Sequence, residues 1–339
     1  MVQPVEGLSA SIDRVALDTA FSGAVRVDRG DDVLFAKAYG LADRRHGIPN
    51  SLDTRFGLAS GTKGLTALAV VRLIEDGALD WATTARSVLG SDLPLVDDSV
   101  TIEQLLAHRS GIGDYFDEDE HPDVTEYVLP LPAQQLVTTE NYVPAIDGHP
   151  QKFPPGDRFS YCNGGYVVLA LVAERASETP FQELVRTFVC EPAGMRDTGF
   201  LRSDELPAGA ALGYLSADGL RTNVFHLPVI GSGDGGISST VADVRAMWIA
   251  FLEGRIVSRS NVERMTSPVS DVPSESKRYG LGFWLDETGP AVILEGYDAG
   301  VSFRSIHDPG SRTTATVVSN WTDGAWPIAR LLAEAIART

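Results

Sequence analysis

The chain reads as an α+β protein: an antiparallel sheet flanked by helices, with an inserted, mainly helical lobe. Three observations predict this. Runs of alternating or continuous β-branched and aromatic residues sit at both ends of the chain, in "SGAVRVDRGDDVLFAKAYG" from Ser22 and in four runs after Tyr279. The middle instead carries helical periodicity and long loops, and no repeat recurs at a fixed period. Strand runs joined by short turns pair most simply into one sheet, which predicts a discontinuous sheet unit of residues 1–76 and 200–339. Residues 77–199 are then the helical lobe, and the groove between the two is the expected place for a site.

In chain order, an opening amphipathic helix precedes two strands that turn between Arg29 and Asp32. The stretch "FGLASGTKGLTALAVVRLIEDG", Phe56 to Gly77, follows, with Leu65, Leu68, Val71 and Ile74 at helical spacing, apolar residues on its other faces, and Gly77 as a stop. Such a helix belongs in the middle of a fold. Thr101 with Gln104 three residues on predicts a capped helix over "TIEQLLAH". Thr179, Pro180 and Gln182 give a similar start to "TPFQELVRTFVCEPAGM". Another helix starts at Thr240. The runs "YGLGFWLD", "AVILEG", "VSFRSIHD" and "TTATVVSNW" then read as strands, and "AWPIARLLAEAIART" as the closing helix.

The 339 residues can bury a substantial core, and 43% hydrophobic with 22% charged residues is ordinary globular composition. A net charge of −18 argues against a nucleic-acid partner. Cys162 and Cys190 stand in no ligand or disulfide pattern, and neither a leader nor an apolar run of membrane-spanning length is visible, so the expectation is a cytoplasmic protein without membrane association. There is no GxSxG elbow, GxGxxG or phosphate-binding loop, and no cofactor or metal is implied. The acidic run Asp114 to Asp123 around His121 lacks ligand spacing and is expected to be a solvated loop.

Chemistry enters at Ser60 and Lys63. Three residues apart at the front of a helix, they share a face. A serine hydroxyl is a weak nucleophile until a base takes its proton, and an amine does that only when uncharged. From a reference pKa near 10.4, roughly one lysine in 2,500 is neutral at pH 7, and reaching a pKa of about 7 takes roughly 4–5 kcal/mol of desolvation or nearby positive charge. The apolar helix behind Lys63 offers the desolvation. Ser60 at a helix start also has free backbone N–H groups to receive a developing anion. Ser274 and Lys277 repeat the spacing within a polar, Pro-containing segment, read as a loop, and are assigned no role.

About a hundred residues on, "FPPGDRFSYCNGGYVVLALV" places Tyr161 and Asn163 two apart before another buried helix. In an extended segment both side chains point the same way. A tyrosine there can exchange protons with Ser60 or a leaving group, and an asparagine can hold Lys63 and a substrate carbonyl.

Together, Ser60-x-x-Lys63 and Tyr161-x-Asn163 resemble the serine β-lactamase and DD-peptidase superfamily, in its class C β-lactamase-like and family VIII esterase-like branch. "LLAHRSGIGDY", "PAGMRDTGF" and "GGISSTVADVRAM" are similar to further segments of that branch, in the same order, so the likeness runs from about Phe21 to Trp321. The resemblance implies that Ser60 is acylated, that Lys63 and Tyr161 share general acid and base work, and that Asn163 orients. It implies a small-molecule ester or amide substrate, cleaved by a serine hydrolase.

The branch carries Lys-Thr-Gly, His-x-Gly or Trp-Gly-Gly on a strand near the C-terminus, where this chain has "LEGYDAGVSF". The triplet Tyr297-Asp298-Ala299 or Asp298-Ala299-Gly300 is expected in that place, with Gly300 supplying the second oxyanion N–H. Asp298 would repel the substrate carboxylate that a cation meets elsewhere in the family, which favours a neutral ester or amide, or a substrate bearing an amine. A β-lactamase or a D-amino-acid peptidase or amidase is the alternative activity, with acyl transfer as a variant of the same chemistry. A family member without turnover, binding a ligand or serving in assembly, is the rival of another class.

Overall fold

The computed structural model describes residues 5–118, 120–121 and 123–337. Helix α1, Val5–Asp18, leads into strands β1, Gly23–Arg29, and β2, Asp32–Tyr39. Helix α2, Thr62–Glu75, α3, Ile102–Leu106, and α4, Asn163–Ser177, fall in the middle of the chain, and α5, Val241–Leu252, follows a long stretch of loops. The C-terminal part contributes β3, Ser270–Val272, β4, Lys277–Tyr279, β5, Trp284–Asp286, β6, Val292–Asp298, β7, Val301–Asp308, and β8, Thr313–Ser319, before α6, Trp326–Ala337.

These strands form one eight-stranded antiparallel sheet in the order β2-β1-β8-β7-β6-β5-β4-β3. The two ends of the chain meet where β1 pairs with β8, from Gly23 opposite Ser319 to Arg29 opposite Thr313. Each face is covered by helices because each strand alternates its apolar side chains between them. Val25, Val27, Ala315 and Val317 bury one face against Ile12 and Ala16 of α1 and Ile328, Ala329 and Leu332 of α6. The opposite face packs Leu294, Phe303 and Phe283 under α2 and α5, and Trp248 of α5 donates its indole N–H to Ser305 at 2.8 Å.

Helix α2 is buried almost throughout, from Thr62 to Leu73, as expected of its apolar faces, and Gly77 follows it in a left-handed conformation at φ +78°. It sits close to the sheet because glycines stand at the seam. A Cβ on Gly61 would lie 2.6 Å from the Phe303 ring, and one on Gly64 2.5 Å from Leu294.

The Thr101 and Gln104 side chains form the expected reciprocal cap. The later helix also starts at the expected place, Phe181, with Pro180 in the N-cap position, while Thr179 turns its hydroxyl back to the Ser177 carbonyl at 3.2 Å. "YGLGFWLD", in contrast, is not one strand. Gly282, at φ +89° and with no room for a Cβ beside Ala67, turns the chain between β4 and β5.

Candidate active site

Ser60 lies in a short 3-10 turn, Ala59–Gly61, that feeds directly into α2. The residue before it, Ala59, is held at φ +45°, a conformation an alanine adopts only when its surroundings enforce it. One turn on, Lys63 is 2% exposed, and its amine donates to Ser60 Oγ at 2.9 Å, Asn163 Oδ1 at 2.8 Å and the Asp234 carbonyl at 2.8 Å. Those three acceptors satisfy an ammonium completely. Burial nevertheless draws the Lys63 pKa below the usual lysine value, against the opposing pull of Asp234, Glu118, Asp114 and Asp298.

The Tyr161 hydroxyl interacts with the Ser60 hydroxyl, and Lys63 Nζ lies 4.9 Å from the Tyr161 ring centre. Burial, with Glu118 next in effect, pushes the phenol well above its ordinary pKa, so it keeps its proton. Its ring is held between His108, 4.3 Å away, and a parallel Trp284 at 6.0 Å. His108 Nδ1 also accepts the Cys162 backbone N–H at 3.0 Å, which fixes the chain between Tyr161 and Asn163.

Asn163 opens α4, and its Oδ1 accepts from the Lys63 amine. Its amide N–H groups go to the Phe116 carbonyl at 2.8 Å and Glu118 Oε1 at 3.1 Å, so both donors are already engaged. The acidic run also differs from a solvated loop at its start: Asp114 is buried, and its carboxylate accepts the N–H groups of Asn163, Gly164 and Phe116. Within that run Asp119 and Pro122 lie outside the described residues.

The third motif has to be moved. Gly300 sits at φ +76° in the turn between β6 and β7 and donates its N–H to Thr322 Oγ1 at 3.0 Å, so that group is spent on the loop. The close approach to the serine turn is made instead by Gly296, where a Cβ would stand 1.9 Å from the Leu58 carbonyl oxygen and 3.0 Å from the Gly61 nitrogen. The triplet beside Ser60 is therefore Leu294-Glu295-Gly296, which ends in glycine and has Leu294 where a cation was sought.

Past Ile293, β6 has no partner in β5, and its outer edge faces Ser60. Pairing alternates along β6 and β7: Asp298 and Val301 close the two-residue turn as a bonded pair, so the Tyr297 backbone N–H points to that outer edge. Tyr297 and Asp298 both line the cleft at Ser60, and the Tyr297 hydroxyl donates to Asp323 Oδ1 at 3.1 Å. Burial raises the Asp298 carboxyl to about 7, with Ala299 N–H opposing it.

Residues that sequence reasoning did not single out complete the arrangement. Asp234 offers its carbonyl to Lys63, and its carboxylate accepts the Tyr115 hydroxyl. The glycine-flanked "SGDGG" was the available signal, since Gly233 packs so tightly that a Cβ would meet the Tyr166 carbonyl at 2.1 Å. Lys277, set aside as part of a loop, opens β4, lies over the Trp284 ring at 5.0 Å and pairs with Glu295. Among the described residues no group of three or more His, Cys, Asp or Glu side chains forms a metal-binding cluster, and no helix is long and apolar enough to cross a membrane.

A serine joined to a buried lysine and a protonated tyrosine has the parts for acyl transfer. The sequence pattern of the Beta-lactamase family matches residues 13–337. The chain belongs to the Beta-lactamase family. Within it, the solved penicillin-binding protein from Bacillus halodurans is similar over 97% of this chain and 100% of its own, at 34% identity and a TM-score of 0.89. The putative penicillin-binding protein PbpX of Bacillus subtilis strain 168 is 27% identical over 270 residues, 79% of this chain and 63% of PbpX. Esterase EstB of Burkholderia gladioli is 33% identical over 213 residues, 58% of this chain and 52% of EstB. The chain thus spans between half and two thirds of these two curated relatives. The high structural likeness bears out the expected β-lactamase-like architecture of an antiparallel sheet flanked by helices.

Proposed function

We propose that the protein is a serine hydrolase that cleaves an ester or amide through an acyl-enzyme on Ser60. The observation that carries this reading is the Lys63 amine, buried and 2.9 Å from Ser60 Oγ. With the amine neutral, its two hydrogens serve Asn163 Oδ1 and the Asp234 carbonyl, and its lone pair faces the Ser60 hydroxyl. Lys63 takes the serine proton as Oγ bonds to the substrate carbonyl carbon. The oxyanion is received by the backbone N–H groups of Ser60 and Tyr297. Tyr161, kept protonated by burial, gives its proton to the leaving oxygen or nitrogen as that bond breaks, and recovers one through Lys63. Water then enters by the same steps in reverse and frees the acid.

Asn163 is a positioning residue for Lys63 in this scheme, and Asp298 disfavours a carboxylate close to the scissile bond. The polypeptide is divided, on this reading, into the sheet unit 1–76 with 200–339 and the lobe 77–199, with the site between them. The partner is a small ester or amide, and EstB, a relative named as an esterase, lends support to the ester.

The test is the initial rate of p-nitrophenyl butyrate hydrolysis by the wild type and by Ser60→Ala. A wild-type rate well above background that vanishes in the variant is expected. Equal rates at background would transfer support to a family member without turnover.

A further inference from the structure

Two clefts open on Ser60, and among the described residues they share only Ser60 and Tyr297 in their linings. One, of about 370 Å³, is walled by the loops after Tyr115 and after Phe200, with Tyr127, Leu129, Leu206, Leu220, Val224 and Leu227 facing it. The other, wider at about 1160 Å³, carries Lys152, Arg158, Tyr161, Lys277, Trp284 and Arg304. We infer that the clefts sort the two halves of the substrate: the acyl group enters the apolar cleft, and a polar leaving group departs through the charged, aromatic one.

This assignment rests on the hydrolase reading and adds a direction to it. A carbonyl bonded to Ser60 Oγ and aimed at Tyr297 N–H sits at the junction, so its two substituents must point into different clefts. The leaving atom has to lie within hydrogen-bond reach of the group that protonates it. Tyr161 lines the charged cleft and not the apolar one. As the C–O or C–N bond breaks, the electron pair goes to that atom, the Tyr161 proton follows, and the neutral alcohol or amine is released among Trp284, Lys277 and Arg304. The acyl chain stays behind on Ser60, facing the leucines. Leu220 and Val224, 58% and 41% exposed, extend the apolar wall to the surface, where a longer chain continues to bury area.

Two substrate series read the two clefts separately. In the first, the leaving group is fixed as p-nitrophenol and the acyl group runs from acetyl through butyryl to hexanoyl. The wild-type kcat/KM should rise about tenfold or more along it as each added methylene buries further apolar area, and Leu220→Asp with Val224→Asp should flatten the rise. In the second, the acyl group is fixed as butyryl and the leaving group is glycerol or phenol. Trp284→Ala should change the ratio of the two kcat/KM values about fivefold or more and leave the acyl-length slope as in the wild type. Because Trp284 packs against Tyr161 and Tyr279, Arg330→Ala, exposed on α6 and lining the same cleft, provides a second variant whose folding is not at stake. If the Leu220 and Val224 changes shift the leaving-group ratio while Trp284→Ala and Arg330→Ala alter the acyl slope, the assignment is overturned. It is also overturned if neither set of variants changes either series. Turnover that depends on Ser60 in these series keeps the hydrolase reading in either case, whereas no such turnover with any of the esters removes both.

Discussion

The Asp114 carboxylate accepts the Asn163 backbone N–H at 2.6 Å, and through that bond it fixes the residue that holds Lys63. The same carboxylate serves Gly164 at 2.8 Å and Phe116 at 3.2 Å. Asp114→Ala leaves these N–H groups without an acceptor in a buried setting, so unfolding in urea should show a loss of about 2–3 kcal/mol. Because Asn163 then loses its anchor, ester hydrolysis should fall in kcat more than it rises in KM. Unchanged stability would mean that the N–H groups find other partners.

Gly296→Ala is expected to be severe. Its Cβ has no space against the Leu58 carbonyl, and a shift of about 1 Å between β6 and the serine turn can cost about a hundredfold in rate. Gly7→Ala in α1, where nothing lies within 4 Å, is the control and should leave both activity and melting temperature near wild type. Comparable activity in the two variants would place the serine turn elsewhere.

The acid and base assignments have a pH signature. Lys63 works as a base only when neutral, so kcat/KM should rise with pH through its folded pKa, which burial sets below the ordinary lysine value. Tyr161 works as an acid only when protonated, and its pKa is raised, so the fall at high pH should come later than for a free phenol. Tyr161→Phe should lower kcat by about 10²–10⁴ and remove that alkaline fall. A Phe variant with the wild-type profile would exclude Tyr161 from proton transfer.

Asp298 links pH to stability with a definite sign. Its folded pKa of about 7 lies above the ordinary 3.8, so the folded state keeps a proton that the unfolded chain has released. The destabilisation grows as pH rises from about 4 to about 7 and is complete above that. Asp298→Asn should therefore melt higher than the wild type at pH 8, by a margin that narrows towards pH 4.5. A melting-temperature difference independent of pH would show that Asp298 does not titrate in this range.

Much of the fold was legible because the signals are local. The turn between β1 and β2, the cap of Thr101 and Gln104 and the buried α2 each depend on neighbours in sequence. The same holds for Ser60 and Lys63, one helical turn apart, and for Tyr161 and Asn163, either side of Cys162. What could not be read depends on contacts between distant segments. Gly296 has its meaning only opposite Leu58, and nothing near Gly300 in sequence announces Thr322 as its acceptor; a shift of three or four residues was enough to misplace the motif. Asp114 is chemically indistinct from the acids that follow it until α4 arrives on top of it. Lys277 shares a spacing with Lys63 but not its burial, because its segment is a short strand one place in from the edge of the sheet instead of a central helix.

The glycine seam under α2 has an evolutionary consequence. With Gly61, Gly64 and Gly296 at the contact, little compliant side chain separates the serine turn from β6, and the nucleophile moves with the sheet as one stiff piece. The walls of the apolar cleft are made differently, from stretches around Leu206, Leu220 and Val224 with little regular structure and exposed side chains. Mutational change is thus steered: the seam resists almost any replacement, while the cleft wall can exchange one apolar residue for another at small cost. A lineage built this way can alter what it accepts without rebuilding how it reacts.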